Sequence, residues 1–195
     1  MTADLDALKA ACRTELRALR RALAMDQGEK GSRRASDHLV ALLISRFGVE
    51  GGDRVALYRA HGSEIDPQFA FGPLLAAAFS LALPSVVEEG RPLRFKSWAP
   101  GEELITGFRG LEEPAHGVTV QPQAVVLPLL GFDDEGHRIG QGGGFYDRTL
   151  DEAAPRPLAI GFAWAGQRCA RLPFGPKDQK LDFIVTERGV TNVGT

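Results

Sequence analysis

Apolar residues recur at steps of three and four from the beginning of the chain. Leu5, Leu8, Cys12, Leu16, Leu19 and Leu23 form one stripe of an amphipathic helix, with Lys9, Arg13, Arg17 and Arg20 on its other faces. A second helix is predicted after Ser32, with Leu39, Leu42, Leu43 and Phe47 inward and Gly48 as its stop signal. Short apolar runs then predict buried strands: "RVALYRA" from Arg54 to Ala60, "SLALPSVV" from Ser80, "AVVLPLL" from Ala124 to Leu130, "PLAIGFAW" from Pro157 to Trp164, and "DFIVTE" from Asp182 to Glu187. Asp66 before Pro67 marks a helix start, the carboxylate capping and the proline in the first turn, with Pro73 restarting or kinking that helix. "FYDRTLDEA" opens another helix, and the middle of the chain, with "PLRFKSWAP" and "GLEEP", reads as rich in loops. This alternation predicts a single α/β domain over residues 1–195 with a largely parallel sheet. Such sheets hold ligands beyond the carboxyl ends of their strands, where the glycine-rich stretch after Leu130 would lie.

Composition narrows the partners. A chain of 195 residues with 44% hydrophobic and 25% charged content can build a core without disulfide or metal. A net charge of -2 offers no global attraction for nucleic acid or an anionic membrane, so any anion site must be local. Cys12 and Cys169 lack metal-ligand spacing, which fits a reducing compartment and a cytoplasmic protein. Asp4, Asp6 and Glu15 among the N-terminal bases argue against a secretory signal or transit peptide. The uncharged stretch from Pro67 to Val87 is long enough to cross a bilayer, but Gly72, Pro73, Ser80 and Pro84 break it. A short helix and a strand use those residues more naturally.

The densest chemistry lies in "RIGQGGGFYDR", Arg138 to Arg148. It is not a P-loop, because Phe145 and Tyr146 follow Gly144 in place of lysine and a hydroxyl residue. It is not the dinucleotide fingerprint either, since Phe145 stands where the third glycine belongs. What remains is a backbone free to turn successive N–H groups into one concavity, next to a helix start. An oligophosphate fits that description: Arg138 can neutralise its oxygens and Asp147 can hold a magnesium ion. A tight strand-to-helix turn with Asp147 and Arg148 as surface charges fits the same letters.

The longer segment "LPLLGFDDEGHRIGQGGGFYDRTL" resembles the signature of the 5-formyltetrahydrofolate cyclo-ligase family, also called 5,10-methenyltetrahydrofolate synthetases. The proline, Phe132 and Asp133, Gly136, Arg138 and the glycine loop keep the family's spacing. The resemblance extends through "KAACR", "EIDP", "GLEEP" and "DQKLDFIVTE" and so covers most of the chain. It implies a Rossmann-like, three-layer α/β domain with helices on both faces of the sheet. It also implies use of ATP and magnesium to cyclise 5-formyltetrahydrofolate to 5,10-methenyltetrahydrofolate with release of ADP and phosphate, and no nucleic acid, membrane or obligate protein partner.

By position, the resemblance implies ATP contacts from Lys9, Arg13, Arg138, Ile139, Gly140, Gln141, Gly142, Gly143, Gly144, Phe145 and Tyr146. Arg138 and Tyr146 are the catalytic candidates. Folate contacts are implied for Arg13, Arg59, Glu64, Gln141, Gly142, Gly143, Gly144 and Phe145, and magnesium ligation for Asp147 and Asp178. Each has a plainer reading without the family: Lys9 and Arg13 as a solvated basic face, Asp178 as an exposed loop residue, Glu64 as a capping or surface acid. Trp98 and Tyr146 could wall a folate pocket by stacking, or be core aromatics. Arg59, Gln141 and Gly143 stand where relatives vary, and Pro67 replaces the usual threonine after "EID". Sugar-phosphate isomerases share the general fold without needing ATP, and an RNA-binding helix would leave the glycine loop and Asp178 unexplained.

Overall fold

The computed structural model describes residues 2–49 and 52–194. The first helical run, α1 (Thr2–Phe47), is longer than either predicted helix because the two join. They meet at Gly28, whose φ of 52° and ψ of -150° interrupt the helical backbone. Gly48 ends the run at φ 79°, its N–H donating to the Ile44 carbonyl at 2.8 Å, a glycine C-terminal stop as the sequence suggests. Helix α2 (Gln68–Ala76) starts where the Asp66 Oδ1 accepts from the Gln68 N–H at 2.9 Å, and it contains Pro73 without ending there.

Strands β1 (Arg54–Ala56), β2 (Ser80–Ser85), β7 (Ala124–Pro128), β10 (Leu158–Phe162) and β11 (Phe183–Thr186) are the five apolar runs of the sequence, and they pair parallel to one another. Three further strands joined by antiparallel pairing, β3 (Arg94–Ser97) on β2, β6 (Thr119–Val120) on β3 and β12 (Gly189–Asn192) on β11, extend them into an eight-stranded sheet of order β12-β11-β10-β7-β1-β2-β3-β6. The stretch expected to be loop-rich therefore contains β3 and a small hairpin, β4 (Leu104–Thr106) with β5 (Glu112–Pro114). A second hairpin, β8 (Gly131–Phe132) with β9 (Arg138–Ile139), stands between β7 and the glycine loop, which leads into α3 (Phe145–Glu152).

Alternate strand residues separate two cores, as the pleat requires. Val55, Leu81, Val126, Ile160 and Val185 face Leu39 and Leu43 of α1 and Phe71 and Leu74 of α2. Ala56, Ala82, Val125, Ala159 and Ile184 face the other way, toward Leu150 of α3. The sheet thus lies between helices on both sides, the expected three-layer α/β arrangement. Among the described residues no helix is long and apolar enough to cross a membrane.

The N-terminal stripe is only half realised. Leu16 is buried and Leu5, Cys12 and Leu23 are partly so, but Leu8 and Leu19 are 52% and 39% exposed. The side of α1 that turns inward is rotated toward the bases: Arg20 is buried, and Lys9, Arg13, Arg17 and Arg20 all face a cavity.

Candidate active site

That cavity, of about 690 Å³, opens beyond the carboxyl ends of β1, β2 and β7, which contribute Tyr58, Pro84, Val86, Pro128 and Leu129 to its wall. It is the place where a parallel sheet is expected to receive a ligand. All of the residues singled out from the sequence as contacts line it: Lys9, Arg13, Arg59, Glu64, the loop from Arg138 through Tyr146, Asp147 and Asp178.

The glycine loop forms one side. Gly142 and Gly144 have φ of 101° and 64°, conformations that L side chains rarely adopt, and Gly144 is the N-cap of α3 without a side-chain cap. No backbone N–H from Gln141 to Asp147 donates to a protein acceptor among the described residues. The loop and the α3 start therefore offer a set of free donors to an anion. An ordered hairpin aims them. The buried Asp133 carboxylate accepts from the backbone N–H groups of Glu135 and His137 through Oδ1 and of Leu172 through Oδ2, which fixes the turn between β8 and β9.

Helix α1 forms the facing side with four cations at spacings of four, four and three residues, hence on one face. Lys9 pairs with Asp178, whose Oδ2 also accepts from the Gly175 N–H at 2.6 Å. Arg13 Nε donates to the Gly140 carbonyl at 3.1 Å, and Arg17 Nε to Gln141 Oε1 at 3.0 Å. Arg20 pairs with Glu64 at 3.2 Å. Arg59 and Arg138 pair with Glu112 and Asp147, at 3.0 and 2.7 Å. Arg13 and Arg17, beside the glycine loop, have no carboxylate partner among the described residues, so positive charge is left over where the free N–H groups converge.

The two acids expected to hold magnesium sit at the same end. Asp147 Oδ1 accepts from Arg138 and from the Gln179 N–H at 3.0 Å, which ties it to the residue after Asp178. Each carboxylate keeps its second oxygen without a protein donor among the described residues. No group of three or more His, Cys, Asp or Glu side chains arranged for a metal occurs among the described residues. Two carboxylate oxygens on the wall that also carries the glycine loop suit magnesium, which keeps waters and shares its ligand shell with substrate phosphates.

The opposite end is lined by Arg20, His61 and Glu64 together with Tyr58 and Leu129. Glu64 lies there with Oε2 accepting from the His61 N–H at 3.0 Å, and burial pushes its carboxyl up from the ordinary range while that N–H and Arg20 pull it back. Burial and the Glu64 charge also push the Tyr146 phenol well up, against the opposing pull of Arg138, so it stays protonated at any ordinary pH. Phe108, in a short turn before β5, meets Phe145 edge to face at 5.6 Å between ring centres. Trp98 does not reach the cavity: it packs on Phe71 in the α2 core and donates Nε1–H to the Glu102 carbonyl at 3.2 Å. Pro67 is likewise a buried residue at the start of α2, away from the cavity, whereas Arg59 is on its wall.

Sequence reasoning left out Arg17, Arg20, Tyr58 and Phe108. The first two were within reach, because the four-residue recurrence of cations from Lys9 onward marks a face. Tyr58 and Phe108 carry no local signal, since only the closure of the sheet and the β4–β5 hairpin brings them in.

The sequence model of the 5-formyltetrahydrofolate cyclo-ligase family matches residues 6–187. The 5-formyltetrahydrofolate cyclo-ligase of Escherichia coli (strain K12) is 29% identical over 178 residues, covering 88% of this chain and 96% of that protein. The Haemophilus influenzae protein of the same name is 29% identical over 181 residues, covering 89% and 95%. Among solved structures, Aquifex aeolicus 5,10-methenyltetrahydrofolate synthetase superposes with a TM-score of 0.77 at 29% identity over 96% of this chain and 94% of that one. A Mycoplasma pneumoniae 5,10-methenyltetrahydrofolate synthetase, 23% identical, shares the fold with a TM-score of 0.73 over 92% and 98% of the two chains. The match spans the α1 bases, the glycine loop and Asp178 alike, and the chain belongs to the 5-formyltetrahydrofolate cyclo-ligase family of enzymes.

Proposed function

We propose that the protein cyclises 5-formyltetrahydrofolate to 5,10-methenyltetrahydrofolate, consuming ATP with magnesium and releasing ADP and phosphate. The observation that carries this reading is one cavity with two chemically different ends. Free N–H groups, Arg13 and Arg17 at one end suit a triphosphate. A largely enclosed carboxylate, Glu64, lining the other end with Tyr58, Tyr146 and Leu129, suits a flat heterocycle with donors on its rim.

The chemistry requires both ends at once. The formyl group is an amide on the pterin 5-nitrogen, and ring closure must expel its oxygen. Transfer of the γ-phosphoryl group to that oxygen breaks the bond to ADP and leaves an iminium phosphate. The lone pair of the 10-nitrogen then attacks the formyl carbon, its proton is lost, and the carbon–oxygen bond breaks with phosphate as leaving group. Lys9, Arg13 and Arg138 hold the phosphates, and the α3 N-terminus faces the oxygens on which charge builds. Tyr146, held as a neutral phenol, donates a hydrogen bond and does not act as a base. Asp147 and Asp178, each with one oxygen free of protein donors among the described residues, would hold magnesium, which would supply charge neutralisation for phosphoryl transfer.

The test is direct: mix the protein with 5-formyltetrahydrofolate and MgATP, follow the methenyl chromophore, and quantify ADP. One ADP for each methenyl group formed is expected. Methenyl formation without ATP, or ADP release without folate turnover, would reject the reading.

A further inference from the structure

Arg20 is the one cation on the cavity face of α1 that does not touch the glycine loop or Asp178. Its side chain is 7% exposed, and its guanidinium donates to Ser63 Oγ at 3.1 Å through Nε and to Glu64 Oε1 at 3.2 Å through Nη1, with a longer contact of 3.5 Å to the Leu129 carbonyl. The other Glu64 oxygen is held from the opposite side by the His61 N–H. A carboxylate that is 10% exposed is thus fixed by a helix and by its own loop at the end of the cavity farthest along α1 from Lys9. The four cations span about 16 Å of helix, so one face reaches both ends of the cavity. Burying an Arg–Glu pair contributes little net stability, because desolvating both ions offsets their attraction. The pair makes more sense as a device for presenting an acceptor.

Resting on the reaction above, we propose that Arg20 is a positioning residue that holds the Glu64 carboxylate at the inner wall as acceptor for the donor edge of the pterin, its ring N–H and exocyclic amine. Both Glu64 oxygens retain a lone pair after accepting from Arg20 and His61, so a two-donor edge can be met without breaking either bond. Arg20 also governs the charge of that acceptor. The groups around Glu64 are Arg20 from α1, His61 in its own loop, Tyr58 after β1 and Tyr146 from α3, and Arg20 is the one permanent cation among them. Burial raises the Glu64 carboxyl and Arg20 opposes that rise, so removing Arg20 raises it further. Acceptance needs the ionised form, which is present above the pKa and lost as pH falls through it. Folate binding in the variant must therefore fail first on the acid side.

The experiment measures KM for 5-formyltetrahydrofolate and for ATP across pH in wild type, Arg20→Gln, Arg20→Lys and Glu64→Gln, with melting temperatures on the same preparations. Arg20→Gln is expected to raise the folate KM roughly tenfold near neutrality and to move the acid limb of kcat/KM for folate up by about one pH unit, with the ATP KM within about twofold. Arg20→Lys keeps a cation against Glu64 and returns the limb to near its wild-type position. Glu64→Gln abolishes the limb, and this carries the test if Arg20→Gln does not fold. The proposal is overturned if the acid limb survives Glu64→Gln, if Arg20→Lys fails to restore it, or if Arg20→Gln raises both KM values together with the limb unmoved. A wild-type enzyme that forms no methenyl product would overturn the reaction itself, before any variant is compared.

Discussion

Alanine at Gly142 separates a phosphate cradle from a mere turn. Gly142 has φ 101°, and a Cβ there would stand 3.3 Å from the guanidinium carbon of Arg13. An L residue held at such a φ costs about 1 to 3 kcal/mol, and the new methyl presses on the cation that holds the loop through the Gly140 carbonyl. The loop makes few other bonds, so it is expected to relax by turning its N–H groups away, and the protein need not unfold. If the strain is released by losing the phosphate-binding conformation, it appears as a rise of roughly 5- to 150-fold in the ATP KM, with the melting temperature falling by only a few degrees. Gly72→Ala is the internal control: Gly72 lies in α2, is not among the residues lining the cavity, has no positive φ, and apart from its chain neighbours and its own helix backbone nothing among the described residues lies within 4 Å of an added Cβ, so its ATP KM should stay within about twofold of wild type. Initial rates against ATP at saturating folate, beside thermal melts, give both quantities. A Gly142→Ala enzyme with the wild-type ATP KM, or a Gly72→Ala enzyme equally impaired, would refute the assignment of these N–H groups to phosphate.

Asp147→Asn keeps size and polarity but removes the charge proposed to face magnesium, so turnover should fall at least ~100-fold, and near-normal rates at low magnesium would reject the metal role. Changing Lys9 and Arg13 together to glutamine should raise the ATP KM ~10- to 1000-fold while shifting melting little, because the Lys9–Asp178 pair is partly exposed and Arg13 has no carboxylate partner among the described residues; early melting with a fully active folded fraction would make the helix scaffold. Burial, helped by neighbouring Cys12 and Asp133, pushes the Cys169 thiol up, so near pH 7.5 it should react at least ~10-fold more slowly with an alkylating reagent than a free cysteine does, as read by peptide mass mapping; equal rates would contradict its placement.

The five central strands were legible because each is a short unbroken apolar run, as strands buried on both faces must be. The edge strands were not. Arg94 to Ser97 alternates charge and apolar residues in a segment crowded with prolines, and its pairing with β2 depends on residues nine or more positions away. The apolar stripe of α1 was read correctly as a helix but with the wrong orientation. Leu5, Leu16 and Leu23 lie close against Gly175, Gly131 and Gly166, whereas Leu8 and Leu19, on one flank of the same stripe, are left outside. Periodicity shows that a face exists. Which flank turns inward is decided by what lies opposite, and here that is a charged cavity.

The same limit explains how the site was read. Glycine density, the acid after it and the base before it are local, so Arg138 through Asp147 declare themselves within ten residues. The partners of the α1 bases lie 169, 127, 124 and 44 residues away, at Asp178, Gly140, Gln141 and Glu64. A lone lysine or aspartate at such distances is indistinguishable from a solvated surface charge, and only the family pattern drew Lys9, Glu64 and Asp178 together beforehand. The structure adds a physical reason for their joint presence. Lys9, Arg20 and Arg138 have side chains only 13%, 7% and 6% exposed, and without carboxylates within reach three cations so placed would carry a desolvation cost with nothing to offset it. The acids that pair with them are the same ones the proposed reaction needs for metal and pterin. Removing any one acid should therefore weaken the fold locally as well as the chemistry, so a melting temperature measured beside the kinetics of Asp147→Asn and Glu64→Gln separates the two effects.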